Sequence, residues 1–311
     1  MSDNFLKVLD DHTAGDPMRQ DVRWTNLTQE QIAEALAEAG FPVGVTAVKH
    51  LLDRHGFRRR KARKSTAMGH HPDQDAQFHN IARLKAEYWD AQAPILSMGS
   101  KKKELIGPFF RPGALYTKGV IPAFDHDFPS FASGVVIPHG LYDLRHDVGH
   151  IHLGTSHDTG EFACDHLEAW WTDYGRLAYP DAQSILLLCD GGGSNSARHY
   201  LFKEDLQRLV DKLRIEVRVA HYPPYCSKYN PIEHRLFPHV SRACQGVLFE
   251  SVSLVKSLIE RAETRTGLSV VAEVQEKMYR TKRKVAEGFK KGMKIAFDSF
   301  LPRWNYRVVP S

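Results

Sequence analysis

The sequence has little cysteine. Its four residues, Cys164, Cys189, Cys226 and Cys244, lie far apart and form no C-x-x-C pair. That spacing excludes a disulfide framework and a zinc knuckle, and reduced thiols are expected. There is no long apolar run either, and nothing approaches the roughly 20 residues that span a bilayer. The opening MSDNFLKVLDDH lacks the plan of a signal peptide. A cytoplasmic protein without membrane contact is the expectation. Internal repeats, low-complexity tracts and the G-x-G-x-x-G spacing are also missing, which argues against repeat arrays and an ordinary dinucleotide pocket.

What is present is the make-up of a globular protein, 42% hydrophobic and 25% charged over 311 residues. That is enough chain for a small module and a large one with its own core. The formal net charge is +5, and where it sits says more than its size.

The clearest early pattern runs from Thr28 to Phe57. Thr28 followed by Gln31 is a capping-box pair, and Ile32, Leu36 and Ala39 recur at helical spacing until Gly40. After the turn Phe41–Gly44, a second helix carries Val45, Val48, Leu51 and Leu52 on one face and stops at Gly56. Two short helices and a tight turn suit a helix-turn-helix, whose second helix would present Thr46, Lys49, His50 and Arg54 to a major groove. A plain helical hairpin with a solvated face has the same pattern. The next segment tips the balance: six of the seven residues from Arg58 to Lys64 (Arg58, Arg59, Arg60, Lys61, Arg63 and Lys64) are cationic. Such a block cannot pack, but it releases counterions when laid on phosphates.

The domain plan that follows has three parts. Residues 1–64 form an all-α helix-turn-helix domain with a basic tail. Residues 65–93 form a polar linker and a connecting helix, roughly Ala76 to Trp89. Residues 94–311 form an α/β domain. In it, Ile95–Met98, Gly134–Tyr142 and His150–Ser156 read as strands, then Glu161–Tyr174 as helix and Ser184–Cys189 as a buried strand. Ala197–Leu213, Glu216–Ala220 and Ile232–Ala243 follow as helix, strand and helix. Three strands and then alternation imply a mixed sheet with flanking helices, the element order of the ribonuclease-H-like fold.

Two segments carry chemistry. In Leu186-Leu187-Leu188-Cys189-Asp190-Gly191-Gly192-Gly193-Ser194-Asn195 an apolar strand ends in an acid, the place where α/β sheets bind ligands. A capped strand-to-helix turn is the plainer alternative. In Pro223-Pro224-Tyr225-Cys226-Ser227-Lys228-Tyr229-Asn230-Pro231-Ile232-Glu233-His234, Glu233 sits at the third position of a helix opened by Asn230 and Pro231. It could be no more than a helix-start carboxylate.

Together the segments resemble the Tc/mariner-related DDE transposases. More closely, Lys101-Lys102-Lys103-Glu104-Leu105-Ile106-Gly107, Ser156-His157-Asp158-Thr159, Asp190 to Asn195 and Glu233-His234-Arg235-Leu236-Phe237 resemble the ISAzo group, the Rhodopirellula-type DDE transposases. The resemblance extends from about Ala14 to Trp304-Asn305-Tyr306. It implies metal-dependent cleavage and strand transfer of an insertion sequence, with two Mg²⁺ or Mn²⁺ ions held by three carboxylates. Asp190 maps onto the second acid and Glu233 onto the third, each a catalytic residue and metal ligand. Lys101, Lys102, Lys103, Lys228 and Arg235 become candidate phosphate contacts. The implied partners are double-stranded DNA, as terminal repeats and target, and further copies of the chain assembled on it, on the nucleoid.

The sequence departs from the family twice. Where the pattern has Asp followed by Thr, before the lysines, this chain has Gly99 followed by Ser100. Glu104, Asp125, Asp127 and Asp158 offer no obvious substitute; Asp158 is expected on the far side of an edge strand. Loss of a directly coordinating ligand weakens metal binding severely, so impaired catalysis is expected. The alternative is an inactive remnant that only binds DNA. Family members also carry further helical sequence at the start, which implies a truncated recognition head.

Overall fold

The structure, a computed structural model, describes residues 2–10, 13–16, 19–25, 27–59 and 71–311. Its chain divides into two compact units, Met1–Thr66 and Ala67–Ser311.

The first unit contains α1 (Ser2–Asp10), a ribbon of β1 (Thr13–Asp16) and β2 (Arg19–Thr25), α2 (Gln29–Glu38) and α3 (Val45–Arg54). Thr28 and Gln31 close the expected capping box, and Gly40 and Gly56 end the two helices with φ of +86° and +78°. Ile32, Leu36, Val48 and Leu51 pack with Phe5 and Leu9 of α1. The helical head therefore stands, with two additions, α1 and the antiparallel ribbon. Val45, placed on the apolar face by periodicity, is the first residue of α3 and is exposed at 38%.

In the second unit, α4 (Gln74–Asp90) precedes β3 (Ile95–Ser100), β4 (Glu104–Ile106), β5 (Gly134–Asp143) and β6 (Val148–Gly154). Next come α5 (Gly160–Trp170), a π-turn over Trp171–Gly175, α6 (Arg176–Ala178), β7 (Ser184–Cys189), α7 (Tyr200–Leu213) and β8 (Glu216–His221). The last elements are α8 (Pro231–Arg235), α9 (Phe237–Ala243), α10 (Val252–Ile259), β9 (Ser269–Gln275), α11 (Phe289–Gly292), β10 (Ile295–Phe297) and β11 (Asn305–Val308). The strands form one sheet in the order β10-β11-β8-β7-β3-β5-β6-β9, with β4 paired to β5. Its middle five run β6-β5-β3-β7-β8, antiparallel on the β6 side of β3 and parallel on the β8 side.

Strand alternation explains the two cores. Leu186 and Leu188 of β7 join α4, α8, α9 and α10 on one face, and Ile185, Leu187 and Cys189 join α5 and α7 on the other. A strand buried on both faces must be apolar throughout, which is why SILLLC was legible. The helix α4, read as a connector, packs on the sheet with Ile81, Leu84 and Tyr88 buried. β6 is not an edge strand, since β9 pairs parallel to it along seven positions.

A histidine layer lies beneath α5. His139 and His166 meet Nδ1 to Nδ1 at 2.7 Å, and His152 stacks on His166 with centroids 3.8 Å apart. His150 faces Tyr174 of the π-turn at 4.6 Å. Among the described residues, no three His, Cys, Asp or Glu side chains are arranged to hold a metal ion. Burial pushes the pKa of His139 down to about 3 and those of His150 and His152 to about 4, and takes His166 well below the usual range. These groups fold neutral, whereas the unfolded chain protonates them near pH 6.5. Their contribution to stability is complete above pH 6.5 and is lost as pH falls toward 4, each by at most about 1.4 kcal/mol per pH unit. Urea unfolding should give a clearly lower midpoint at pH 5 than at pH 7.5; equal midpoints would contradict a neutral histidine layer.

Candidate active site

The site lies at the carboxyl ends of β3 and β7. The two strands run parallel with Met98 opposite Cys189, so the next residues, Gly99 and Asp190, come out side by side. Asp190 is held through its backbone. His221, the last residue of β8, places Nδ1 3.2 Å from the Asp190 carbonyl, and its Nε2 lies 3.2 Å from the Tyr306 hydroxyl of β11. Tyr222 N donates to Cys189 O at 2.7 Å. The Trp304-Asn305-Tyr306 segment thus buttresses the strand end that carries Asp190.

Glu233 arrives from above the sheet. Its helix α8 begins with Asn230 and Pro231, but the Asn230 amide does not cap that helix. Instead, Asn230 Nδ2 donates to Met98 O at 3.0 Å, and Ser97 Oγ donates to Asn230 Oδ1 at 2.5 Å. Ile232 N donates to the same hydroxyl at 2.9 Å. Asn230 and Ser97 are both fully buried, so this small polar knot is satisfied internally and fixes α8 over β3. Asn230 N is bonded to Ser227 O, so Glu233 does not close a capping box. The plain helix-start reading of Glu233 loses its hydrogen bonds.

Small residues let α8 and the chain after it come close. A Cβ on Gly140 would lie 2.7 Å from Ile232 Cδ1, and one on Gly149 2.3 Å from Leu236 Cδ1. Gly99 differs. A Cβ there would meet Ile232 Cγ2 at 3.3 Å, Phe237 Cε2 at 3.7 Å and Glu233 Oε1 at 3.8 Å, and its backbone is not in the positive-φ region. A side chain at 140 or 149 would force Ile232 or Leu236 to move, whereas at 99 Ile232 would need to give only slightly.

The electrostatics bind the two acids together. Burial pushes the Asp190 pKa up to about 6, with the Asp158 charge adding to it. Burial also raises Glu233, Asp190 raises it further, and Lys101 opposes both. Asp158 is closer than its strand position suggested: the α5 and α7 starts adjoin, and Ser194 Oγ donates to Asp158 Oδ1 at 2.9 Å. Even so, it forms no metal-holding group with the other two acids. Glu104 is occupied by Lys101 at 2.8 Å and Arg111 at 2.6 Å, which hold its carboxyl below the usual range against the effect of burial. Asp125 and Asp127 are exposed, and Asp125 sits beside His126 at 3.2 Å.

The cations named from the sequence are dispersed. Lys101 is half-buried against Glu104, and Lys102 and Lys103 are exposed. Lys228 lies 5.1 Å over the Tyr229 ring. Arg235 acts on the Tyr142 hydroxyl and on Lys85. In the first unit Thr46, Lys49, His50, Arg54, Arg58 and Arg59 are exposed; Arg60, Lys61, Arg63 and Lys64 lie outside the described residues.

Five central strands in this order, with an acid at the end of β7 and another on the helix crossing β3, define a ribonuclease-H-like domain of the DDE kind. The chain belongs to the Rhodopirellula transposase DDE domain family, whose profile matches residues 4–310. Solved structures similar to it include the Mos1 transposase paired-end complex with left transposon end, at 18% identity and a TM-score of 0.46. Another is the Mos1 mariner paired-end complex with Mn, at 17% and 0.44. Each alignment covers 83% of this chain and 69% of the other. No curated protein matches the chain.

Two substitutions probe the site. Ser97→Ala orphans Asn230 and the Ile232 amide and should cost about 1–3 kcal/mol in urea unfolding. Asp190 has a raised folded pKa, so its ionised form opposes folding at neutral pH and this opposition fades as pH falls through 6. Asp190→Asn should therefore melt above the parent at pH 7.5, with the gap closing by pH 4.5; a lower melting temperature at pH 7.5 would refute the crowded-acid picture.

Proposed function

We propose that this chain is a DDE transposase by fold and descent whose strand-cleaving chemistry is impaired, so that it engages DNA without cutting it at ordinary rates. One observation carries the reading: the position beside Asp190 on the neighbouring strand, whose Cβ would come 3.8 Å from Glu233 Oε1, is held by Gly99. In this reading Asp190 and Glu233 are what is left of the metal-binding set. Residues 1–64 are the DNA-reading domain, with Thr46, Lys49, His50 and Arg54 toward the groove and the basic tail on phosphates. Residues 65–93 connect it to a strand-transfer domain over 94–311.

Two Mg²⁺ or Mn²⁺ ions are the cofactor the family implies. The residues present do not fit a two-ion centre. Two carboxylates leave too little negative charge for two divalent ions, and no third donor joins them among the described residues. Restoring an acid at 99 would give three. The proposed partner is double-stranded DNA, bound by several copies of the chain.

Gly99→Asp tests this without relying on activity alone. Three crowded carboxylates should lower the melting temperature in EDTA, and Mg²⁺ or Mn²⁺ should raise it again by several degrees, while the parent chain responds to neither. Cleavage of the element ends should appear only in the variant. Ordinary cleavage by the parent, abolished by Asp158→Asn, would overturn the reading and make Asp158 the working third acid.

A further inference from the structure

Helix α4 and the start of α8 lie side by side. Phe78 meets Tyr229 edge-on with centroids 5.1 Å apart, and Leu84, Ile232 and Leu236 belong to one core cluster. Along this seam stand Lys85 of α4, Lys228 of the turn before α8, and His234 and Arg235 at the end of α8. Lys85 is half-buried and the other three are exposed. Among the described residues none of the four has a carboxylate in ion-pair contact. The Tyr142 hydroxyl, which feels the Arg235 charge, donates to Asp147 Oδ1 at 2.7 Å.

The helices on the opposite face behave differently. There Lys212 pairs with Glu168 at 2.5 Å, Lys277 with Asp165 at 2.7 Å, and Arg283 with Glu161 at 2.7 Å. On the α4–α8 seam the cations press on one another instead. Burial and Arg235 pull the Lys85 pKa down, and burial, Arg235 and Lys85 lower that of His234 against a hydrogen bond to Tyr229. Like charges gathered without an acid raise the energy of the free protein, and an anion placed among them relieves it. A phosphodiester suits the site better than a carboxylate-bearing peptide, because His234 and Arg235 directly follow Glu233 in α8, so a DNA strand presented to the acid pair would pass beside them.

We infer that the seam between α4 and α8 seats the phosphodiester backbone of DNA flanking the acid pair, with Lys85, Lys228 and Arg235 as its contacts. This rests on the reading of the chain as a DNA-binding transposase. It adds Lys85, a residue of the helix that the sequence presented as a mere connector.

The test is the salt dependence of binding to a 40-base-pair duplex, followed by fluorescence anisotropy with the full chain. Each phosphate contact removed lowers the magnitude of the log Kd against log salt slope by about 0.9. Lys85→Met and Arg235→Gln should each lower it by about that amount and the double variant by about twice it. Lys85→Arg should keep the parent slope, and so should Lys212→Ala, whose cation is already paired. Lys85→Met should melt no lower than the parent, since it keeps the buried stem and removes a repelled charge. Parent binding with unchanged slopes in the seam variants overturns this inference alone. Absence of any duplex binding by the parent overturns it together with the functional reading.

Discussion

Everything at the site depends on the hydrogen bonds that tie Ser97 to Asn230 and Asn230 to the Met98 carbonyl. They set the height and rotation of α8 over β3, and with it the direction in which Glu233 looks. A buried serine and asparagine in the middle of an apolar layer would each be costly alone; bonded to each other and to the Ile232 amide, they leave little unsatisfied. The glycines at 140 and 149 complete the arrangement from below by letting Ile232 and Leu236 settle onto the sheet. The acid pair is therefore a product of two packing facts, a parallel register that delivers Asp190 and a polar knot that delivers Glu233.

Much of this was legible from the residues, and the limits have physical causes. Elements whose signals are local came through: the Thr28 capping box, the wholly apolar β7 and the amphipathic α7. Elements that exist only through distant partners did not. β9, β10 and β11 are short or mixed in pattern and are strands because β6 and β8 supply their hydrogen bonds. The stretch expected as one helix from Ile232 to Ala243 breaks at Leu236, and the signal was in plain view, since Pro238 has no N–H to bond the His234 carbonyl and its ring crowds the turn before it. Asn230 had the look of a helix cap, yet its amide serves a strand 130 residues away in sequence (the separation from Met98 is 132). Asp158 was placed too far off because β9 was invisible and because the α5–α7 contact that carries it toward Ser194 is a tertiary one.

The two faces of the sheet also differ in how they treat charge. Over α5 and α7 the chain from Lys277 to Arg283 is laced down by ion pairs and by Tyr279 bonding Asp165, so that face is electrically closed. Behind Asp190, by contrast, the buried Lys203 has no acid partner among the described residues; its ammonium bonds the Ala197 carbonyl and lies 4.7 Å over the Tyr306 ring. Burial lowers its pKa to about 8. The glycine-rich turn after Asp190 is thus braced from beneath by a lysine, a histidine and a tyrosine, none of which advertised that role in the local sequence.

The fit at Gly99 has a consequence for how such a chain fares in a cell. Glycine and aspartate codons can differ by a single base, and neither residue is required by the fold at this position. A Cβ at 99 presses on Ile232 Cγ2 at 3.3 Å, which is a local strain in a buried contact and not new apolar surface for chaperones and proteases to detect. An exchange of this kind offers quality control little to act on.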